Sequence, residues 1–107
     1  MQEKELEKQF SEICEILATI NNRNDIYSFL RDLLSKNEIL EFSNRFEVAK
    51  MLDDKISYVN IEGKTGMSST TIARISKFLN WENKWYKNAI ELLKAISKKH
   101  HEGHHSW

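Results

Sequence analysis

The chain has 107 residues, of which 40% are hydrophobic and 30% charged, and its 16 Lys+Arg balance its 16 Asp+Glu. These fractions are typical of one small globular domain and exclude a disordered chain, and no apolar run approaches the length of about 20 residues that spans a membrane. The single cysteine, Cys14, excludes an internal disulfide and is expected to be a small buried hydrophobe. The chain begins with charged residues rather than a secretory signal, so we expect a cytoplasmic protein with no membrane partner.

Three helices are predicted in the first half of the chain, because apolar residues recur there at spacings of three and four. The stripe of the first helix is long enough to need a partner helix and consists of Leu6, Phe10, Ile13, Leu17 and Ile20. The stripe of the second consists of Ile26, Phe29, Leu30, Leu33 and Leu34. A capping box of Ser35 and Glu38 opens the third helix, which runs to about Asp53. The residues that it is expected to bury are Ile39, Phe42, Phe46, Ala49 and Leu52.

Residues 57–79 predict two short helices joined by a tight turn. Ser57 can cap the first helix at Tyr58, and Gly66 tolerates the left-handed backbone that ends it after Thr65. Met67 fills the turn, and Ser68 or Ser69 caps the second helix. This arrangement is typical of a helix-turn-helix, which places its second helix in the major groove of DNA.

The second helix of the motif, residues 69–79, has two faces at about 100° per residue. One face is expected to be buried and consists of Ile72, Ile75 and Leu79. The other consists of Thr70, Ala73, Arg74 and Lys77. Hydroxyl, guanidinium and ammonium groups can read base edges and hold phosphates. An ordinary amphipathic hairpin with a polar outer face is the alternative.

Charge is distributed unevenly along the chain. Residues 1–40 carry five Lys+Arg against eight Asp+Glu, residues 41–67 four against five, and residues 68–107 seven against three, giving −3, −1 and +4. The basic excess begins at the predicted recognition helix, where phosphates would meet it. A lysine-rich, solvated terminal helix would give the same excess.

A last helix is predicted after Asn80, which can cap it, with a stripe of Trp81, Trp85, Ala89, Leu92 and Ile96. So many apolar stripes on short helices are difficult to bury in one small monomer, so we expect a homodimer; a monomeric six-helix globule is the alternative. Residues 100–107 are expected to be a polar, His-rich tail. Its histidines are metal ligands in other settings, but Gly103 interrupts the helix that would align them, so no metal site is predicted.

The order of helices resembles the Trp repressor superfamily, and most closely its YerC/YecD-like branch. The resemblance covers about residues 5–95, and it is most specific over residues 45–79. It implies an all-α fold of six helices, an intertwined dimer and binding of operator DNA through the helix-turn-helix. It also implies that Ser69, Thr70 and Thr71 approach the bases.

The resemblance raises the question of a tryptophan corepressor, since two arginines flank the indole in the Trp repressor. Arg74 matches one of them, and Arg45 matches the other if one residue is deleted before Ser57. The residue after the second arginine is glycine in the tryptophan-binding member, whereas Ile75 stands here and its branched side chain can fill the pocket. We therefore expect no cofactor and an ion pair of Arg45 with Glu41, with tryptophan or another small-molecule corepressor as the alternative.

These features predict a sequence-specific DNA-binding transcriptional regulator, with residues 1–99 as one helical DNA-binding domain. The residues expected at double-stranded DNA are Ser57, Asn60, Lys64, Ser68, Ser69, Thr70, Thr71, Arg74 and Lys77. The alternative is a helical protein-interaction or adaptor module that keeps the fold without binding an operator. The chain has no nucleophile elbow, phosphate loop or spaced set of metal ligands, so no enzyme activity is predicted.

Overall fold

The computed structural model describes residues 2–81 and 84–102, with side chains to residue 99. Its six helices are α1 (Glu3–Thr19), α2 (Arg23–Leu33), α3 (Lys36–Asp53), α4 (Tyr58–Thr65), α5 (Ser69–Leu79) and α6 (Trp85–Glu102). No strand occurs in these ranges, so the predicted all-α class is confirmed. Within the same ranges, none of the helices combines the length and the apolar character that crossing a membrane requires.

The chain divides into two compact units, Met1–Ile39 and Leu40–Trp107, and the boundary falls inside α3. In the first unit, the side chain of Asn22 caps α2 by accepting the backbone N–H of Asp25 at 2.9 Å. The predicted capping box at the start of α3 is present: the Ser35 N–H donates to Glu38 Oε1 at 2.8 Å, and the Glu38 N–H donates to Ser35 Oγ at 3.1 Å. These bonds satisfy backbone donors that a helix start leaves free.

The apolar stripe of α1 is only partly covered in the single chain: Ile13, Leu17 and Ile20 are half-buried. Leu6 is 57% exposed and Phe10 is 65% exposed. Cys14 is also exposed, so the expectation that it is buried is wrong for the single chain. The physical reason is that no residue of α1 is fully buried, so the helix offers this side chain no enclosed position.

The second unit contains a core to which α3, α4, α5 and α6 all contribute. Its buried members are Val48, Ala49, Ile61, Ile72, Ile75, Leu79 and Ile90. The burial predicted for Ala49 and for the apolar face of α5 is confirmed. Phe42 is 45% exposed, which contradicts its predicted burial, because the first side chain of α3 that packs on this core is Phe46, one turn further on.

The connection between α5 and α6 differs from the prediction. Asn80 caps the C-terminus of α5 rather than the N-terminus of the last helix, and its Nδ2 donates to the Ser76 carbonyl at 2.9 Å. Trp81 lies before α6, which begins at Trp85. Helix α6 continues to Glu102, and residues 103–107 of the predicted tail lie outside the described residues.

Candidate nucleic-acid interface

Helix α4 begins and ends as predicted. The Ser57 hydroxyl accepts the N–H of Asn60 at 3.2 Å, and Gly66 ends the helix with a φ of 73° while its N–H donates to the Glu62 carbonyl at 2.9 Å. The Thr65 hydroxyl donates to the Ile61 carbonyl at 2.7 Å and accepts the N–H of Met67 at 3.2 Å. Thr65 is absent from the predicted site, although a threonine in the last turn before the glycine is the residue type that makes such bonds.

A serine and a threonine fix the start of α5. The Ser68 hydroxyl accepts the N–H of Thr71 at 3.2 Å, and the hydroxyls of the two residues lie 3.0 Å apart. Of the two caps that the sequence leaves open, the structure uses Ser68. Because the Thr71 hydroxyl is bonded and the residue is half-buried, whereas Ser69 and Thr70 are exposed, the more accessible hydroxyls of this turn belong to Ser69 and Thr70.

Helix α5 separates a buried face from an exposed polar face, as its spacing predicts. Ile72 is completely buried, and Ile75 and Leu79 are nearly so. On the exposed face, Arg74 and Lys77 make no ion pair or side-chain hydrogen bond with the described part of the chain. Two cations one turn apart are therefore available to an external anion.

The residues at and within α4 that are predicted to contact phosphates are exposed, but they are not equally free to bind a phosphate. The Ser57 hydroxyl is already engaged as a cap, whereas the side chains of Asn60 and Lys64 extend from the outer surface. Glu62 is exposed on the same short helix, and its carboxylate opposes the attraction of Lys64 for a phosphate.

The structure brings Arg45 and Arg74 to one cleft of ≈ 220 Å³. The cleft is lined by Arg45, Thr71, Arg74, Ile75, Phe78 and Tyr86. The predicted pair of Arg45 with Glu41 is present at 3.1 Å between exposed side chains. Ile75 occupies the core side of the cleft, and the remaining volume is below the range of about 300–1,000 Å³ of typical ligand pockets.

Part of the basic excess of α6 is neutralised within the chain. The carboxylate of Asp53 lies 4.0 Å from the ammonium group of Lys87 and 3.9 Å from that of Lys94. These long, partly exposed pairs contribute little stability. They nevertheless make the two lysines less available to phosphates than Lys77.

A capped turn, a buried face and an exposed basic face together define a helix-turn-helix in an all-helical domain. The chain belongs to the Trp repressor protein family, whose model matches residues 8–94, and this confirms the resemblance seen in the sequence. The family is one of regulatory DNA-binding proteins rather than enzymes.

The chain is similar to an uncharacterised protein, YerC of Bacillus subtilis strain 168, with 36% identity over 91 residues, which are 85% of this chain and 84% of that protein. Two solved structures share the fold. One is a candidate Trp repressor from Staphylococcus aureus, with a TM-score of 0.72 and 34% identity over 88% of this chain and 95% of that chain. The other is a TrpR-like protein from Eubacterium eligens ATCC 27750, with a TM-score of 0.72 and 36% identity over 81% and 90%.

Proposed function

We propose that the protein is a sequence-specific transcriptional regulator that binds operator DNA with α5 in the major groove. The observation that carries the proposal is the exposed face of α5, where Arg74 and Lys77 have no partner among the described residues while the opposite face packs in the core. A helix held in this way presents its outer side chains to base edges without strain on the fold.

The proposed roles follow from side-chain chemistry and accessibility. Thr70 and Arg74 face base edges, since an arginine can donate two hydrogen bonds to a guanine and a threonine can bond to any base. Lys77 holds a phosphate as a flexible point charge, and Asn60 and Lys64 of α4 contact the neighbouring backbone. The other four residues lie at the N-terminal starts of α4 and α5, which they place near the groove: Ser57, Ser68, Ser69 and Thr71.

The proposed active form is a homodimer in the cytoplasm. A two-fold dimer presents two α5 helices about 34 Å apart, one helical turn of DNA, so its operator is an approximate palindrome. Each subunit offers few free cations, and affinity depends on the number of phosphates that are neutralised. Two subunits therefore provide the affinity that one lacks.

We further propose that DNA binding does not require tryptophan. Ile75 is buried in the core and also borders the cleft between Arg45 and Arg74, so it takes up space that a ligand would need. With the small cleft volume, this favours a constitutive DNA binder. Addition of tryptophan to the binding assay tests this point directly.

The test is selection of bound sequences from a pool of random duplex DNA at several salt concentrations, with and without tryptophan. We expect enrichment of a roughly palindromic motif by the wild-type protein. Arg74→Ala should lose the motif, whereas Lys8→Ala, which removes an exposed cation of α1, should retain it. Unselective binding under every condition would overturn the proposal and favour the adaptor alternative.

A further inference from the structure

An aromatic pocket of ≈ 420 Å³ lies where α5 ends and α6 begins, within the second unit of the chain. Its lining combines four aromatic side chains with one cation: Phe78, Trp81, Trp85, Tyr86 and Lys84. The volume falls within the range of about 300–1,000 Å³ of typical ligand pockets, unlike that of the cleft beside Arg74. The aromatic pocket is therefore large enough for a small molecule.

The rings of the aromatic pocket expose surface on which a planar molecule can stack. Trp85 is 68% exposed, Trp81 is 46% exposed and Phe78 is 43% exposed. The rings of Phe78 and Trp81 lie 5.8 Å apart between centroids and are tilted by 40°, so they are not stacked in parallel on each other. Because exposed aromatic side chains bind nucleobases by stacking, these rings favour a planar aromatic ligand.

Lys84 adds a positive charge beside the rings. Its backbone has a φ of 54°, and its N–H donates to the Trp81 carbonyl at 3.1 Å, which holds the lysine next to that tryptophan. Glycine and asparagine adopt this left-handed conformation more readily than lysine does, so the backbone alone does not favour a lysine here. Its ammonium group is a flexible point charge of the kind that binds phosphates.

The charge around the aromatic pocket favours a phosphate over a carboxylate. Residues 77–87 carry three lysines against one glutamate, a balance of +2. Lys77 makes no ion pair with the described part of the chain, whereas Lys87 lies 4.0 Å from Asp53 and is partly neutralised. A phosphate monoester carries about −1.5 to −2 charges at neutral pH, more than a carboxylate, so it is attracted more strongly. A planar ring joined to a phosphate is a nucleotide.

Operator DNA does not supply this nucleotide. The bases of a duplex are paired and stacked, and a protein reaches their faces only by extruding them. A helix-turn-helix contacts base edges with the N-terminal residues of its second helix, whereas the aromatic pocket lies at the C-terminal end of α5. The ligand is therefore a free nucleotide rather than part of the bound duplex.

We propose that the aromatic pocket binds a free nucleoside monophosphate, with its base stacked on Trp81 and Trp85 and its phosphate at the ammonium group of Lys84. The tryptophans provide ring surface that tolerates different bases, because every base has two flat faces. Lys84 distinguishes a nucleotide from a nucleoside, since only the nucleotide carries the phosphate. This inference requires neither DNA binding nor a dimer.

The test is titration of isotope-labelled protein with adenosine monophosphate in the absence of DNA, followed by NMR of the indole N–H groups. We expect saturable shifts of the Trp81 and Trp85 signals, assigned with Trp81→Phe and Trp85→Phe, and a dissociation constant below about 1 mM. Adenosine lacks the phosphate and should bind at least about fivefold more weakly. Inorganic phosphate lacks the base and should not shift these signals.

Two matched pairs of variants separate the ring from the charge. Trp85→Ala should weaken binding of both adenosine monophosphate and adenosine at least about fivefold, whereas Tyr58→Ala removes an exposed ring outside the pocket and should change neither. Lys84→Ala should weaken adenosine monophosphate by about fivefold or more and leave adenosine unchanged. Lys55 is the control for this charge, because it is also exposed and left-handed, with a φ of 64°, but does not line the pocket.

Circular dichroism establishes that all variants keep their helix content. The inference is overturned if adenosine monophosphate shows no saturable binding up to about 5 mM, if tryptophan binds more tightly than the nucleotide, or if Trp85→Ala and Lys84→Ala bind it like the wild type. Tighter binding of single-stranded oligodeoxyadenosine, per nucleotide, would overturn the assignment to a free nucleotide. Sedimentation velocity adds a further check: a smaller assembly of Trp85→Ala with unchanged nucleotide binding would show that the rings form an interface between copies instead.

Discussion

Gly63 lies inside α4, and a Cβ built on it would meet nothing within 4 Å. A glycine in a helix interior costs about 1 kcal/mol relative to alanine. We therefore expect Gly63→Ala to raise the free energy of unfolding in urea by about 1 kcal/mol. Gly66 is the matched control: its φ of +73° strains an alanine, so Gly66→Ala should lower the same free energy by about 1–2 kcal/mol. A loss of stability in Gly63→Ala would contradict the open space beside this residue.

Ile72 and Val59 are both branched aliphatic residues of the two motif helices, but their burial differs. Ile72 is completely buried, whereas Val59 is 78% exposed. Truncation of a buried isoleucine leaves a cavity, so Ile72→Ala should lower the free energy of unfolding by about 2–5 kcal/mol. Val59→Ala should change it by less than about 0.5 kcal/mol. Equal effects in urea titrations of the two variants would contradict the assignment of this α5 face to the core.

Local chemistry explains which residues could be predicted from the sequence. Ser57, Gly66 and Ser68 act on backbone groups within four positions, and the sequence contains all of those groups. The exposure of Phe42 and Cys14 depends instead on where neighbouring helices end, and the local sequence does not contain that information. The half-burial of Thr71 likewise depends on the cleft beside it, which side chains of α3, α5 and α6 line together.

The first turn of α3 is stabilised by a carboxylate whose charge depends on pH. The hydrogen bond from the Ser35 N–H, with a further one from its hydroxyl, holds the pKa of Glu38 below its ordinary value of 4.5. Since the pKa is lower in the folded state, the carboxylate stabilises the fold above the unfolded value, and this contribution is lost as the pH falls through the folded value. Glu38→Gln can still accept the bond but cannot titrate.

Wild-type protein should therefore lose more stability than Glu38→Gln when urea midpoints are compared between about pH 5 and about pH 3. The comparison of how each protein's urea midpoint changes with pH cancels the titration of every other carboxylate, because both proteins contain the same other carboxylates. Parallel pH profiles would show that the capping box contributes nothing that depends on the charge of Glu38.

The boundary between α5 and α6 shows why one helix start was mispredicted. Asparagine can accept an N–H at a helix start, and it can also donate to a free carbonyl at a helix end. At Asn80 the second option is used: its Nδ2 donates to the carbonyl of Ser76 at 2.9 Å, and the same carbonyl also accepts the backbone N–H of Asn80 at 3.2 Å. A sequence pattern does not distinguish the two, and the stripe through Trp81 and Trp85 appears continuous although the helix begins only at Trp85.

For the whole molecule, the sequence predicts the number of helices and the motif but not the coverage of each apolar stripe. The stripe of α5 is covered by α3, α4 and α6 in the second unit. The stripe of α1 is exposed at Leu6 and Phe10 and only half-buried at its other residues in the single chain. The charge that a segment offers to DNA likewise cannot be read from the segment alone. The +4 of residues 68–107 includes Lys87 and Lys94, which Asp53 partly neutralises from outside that segment.

The dependence of DNA binding on salt measures how many cations are left for phosphates. The logarithm of the binding constant falls with the logarithm of salt concentration by about 0.9 for each phosphate contact on duplex DNA. Lys77→Ala should reduce the magnitude of this slope by about 1 for each phosphate that Lys77 contacts in the complex. The selected motif should be unchanged. Lys8→Ala removes the same charge from α1 and should leave the slope as it is.

Arg74→Ala separates base contacts from phosphate contacts in the same titration. If Arg74 faces a base, its loss lowers affinity for the selected motif by about 1–3 kcal/mol while affinity for random duplex changes little. A fall of equal size on both DNAs, with a smaller salt slope, would instead place Arg74 on the backbone. In that case sequence discrimination would depend on Ser69, Thr70 and Ala73, the remaining exposed residues of the first two turns of α5.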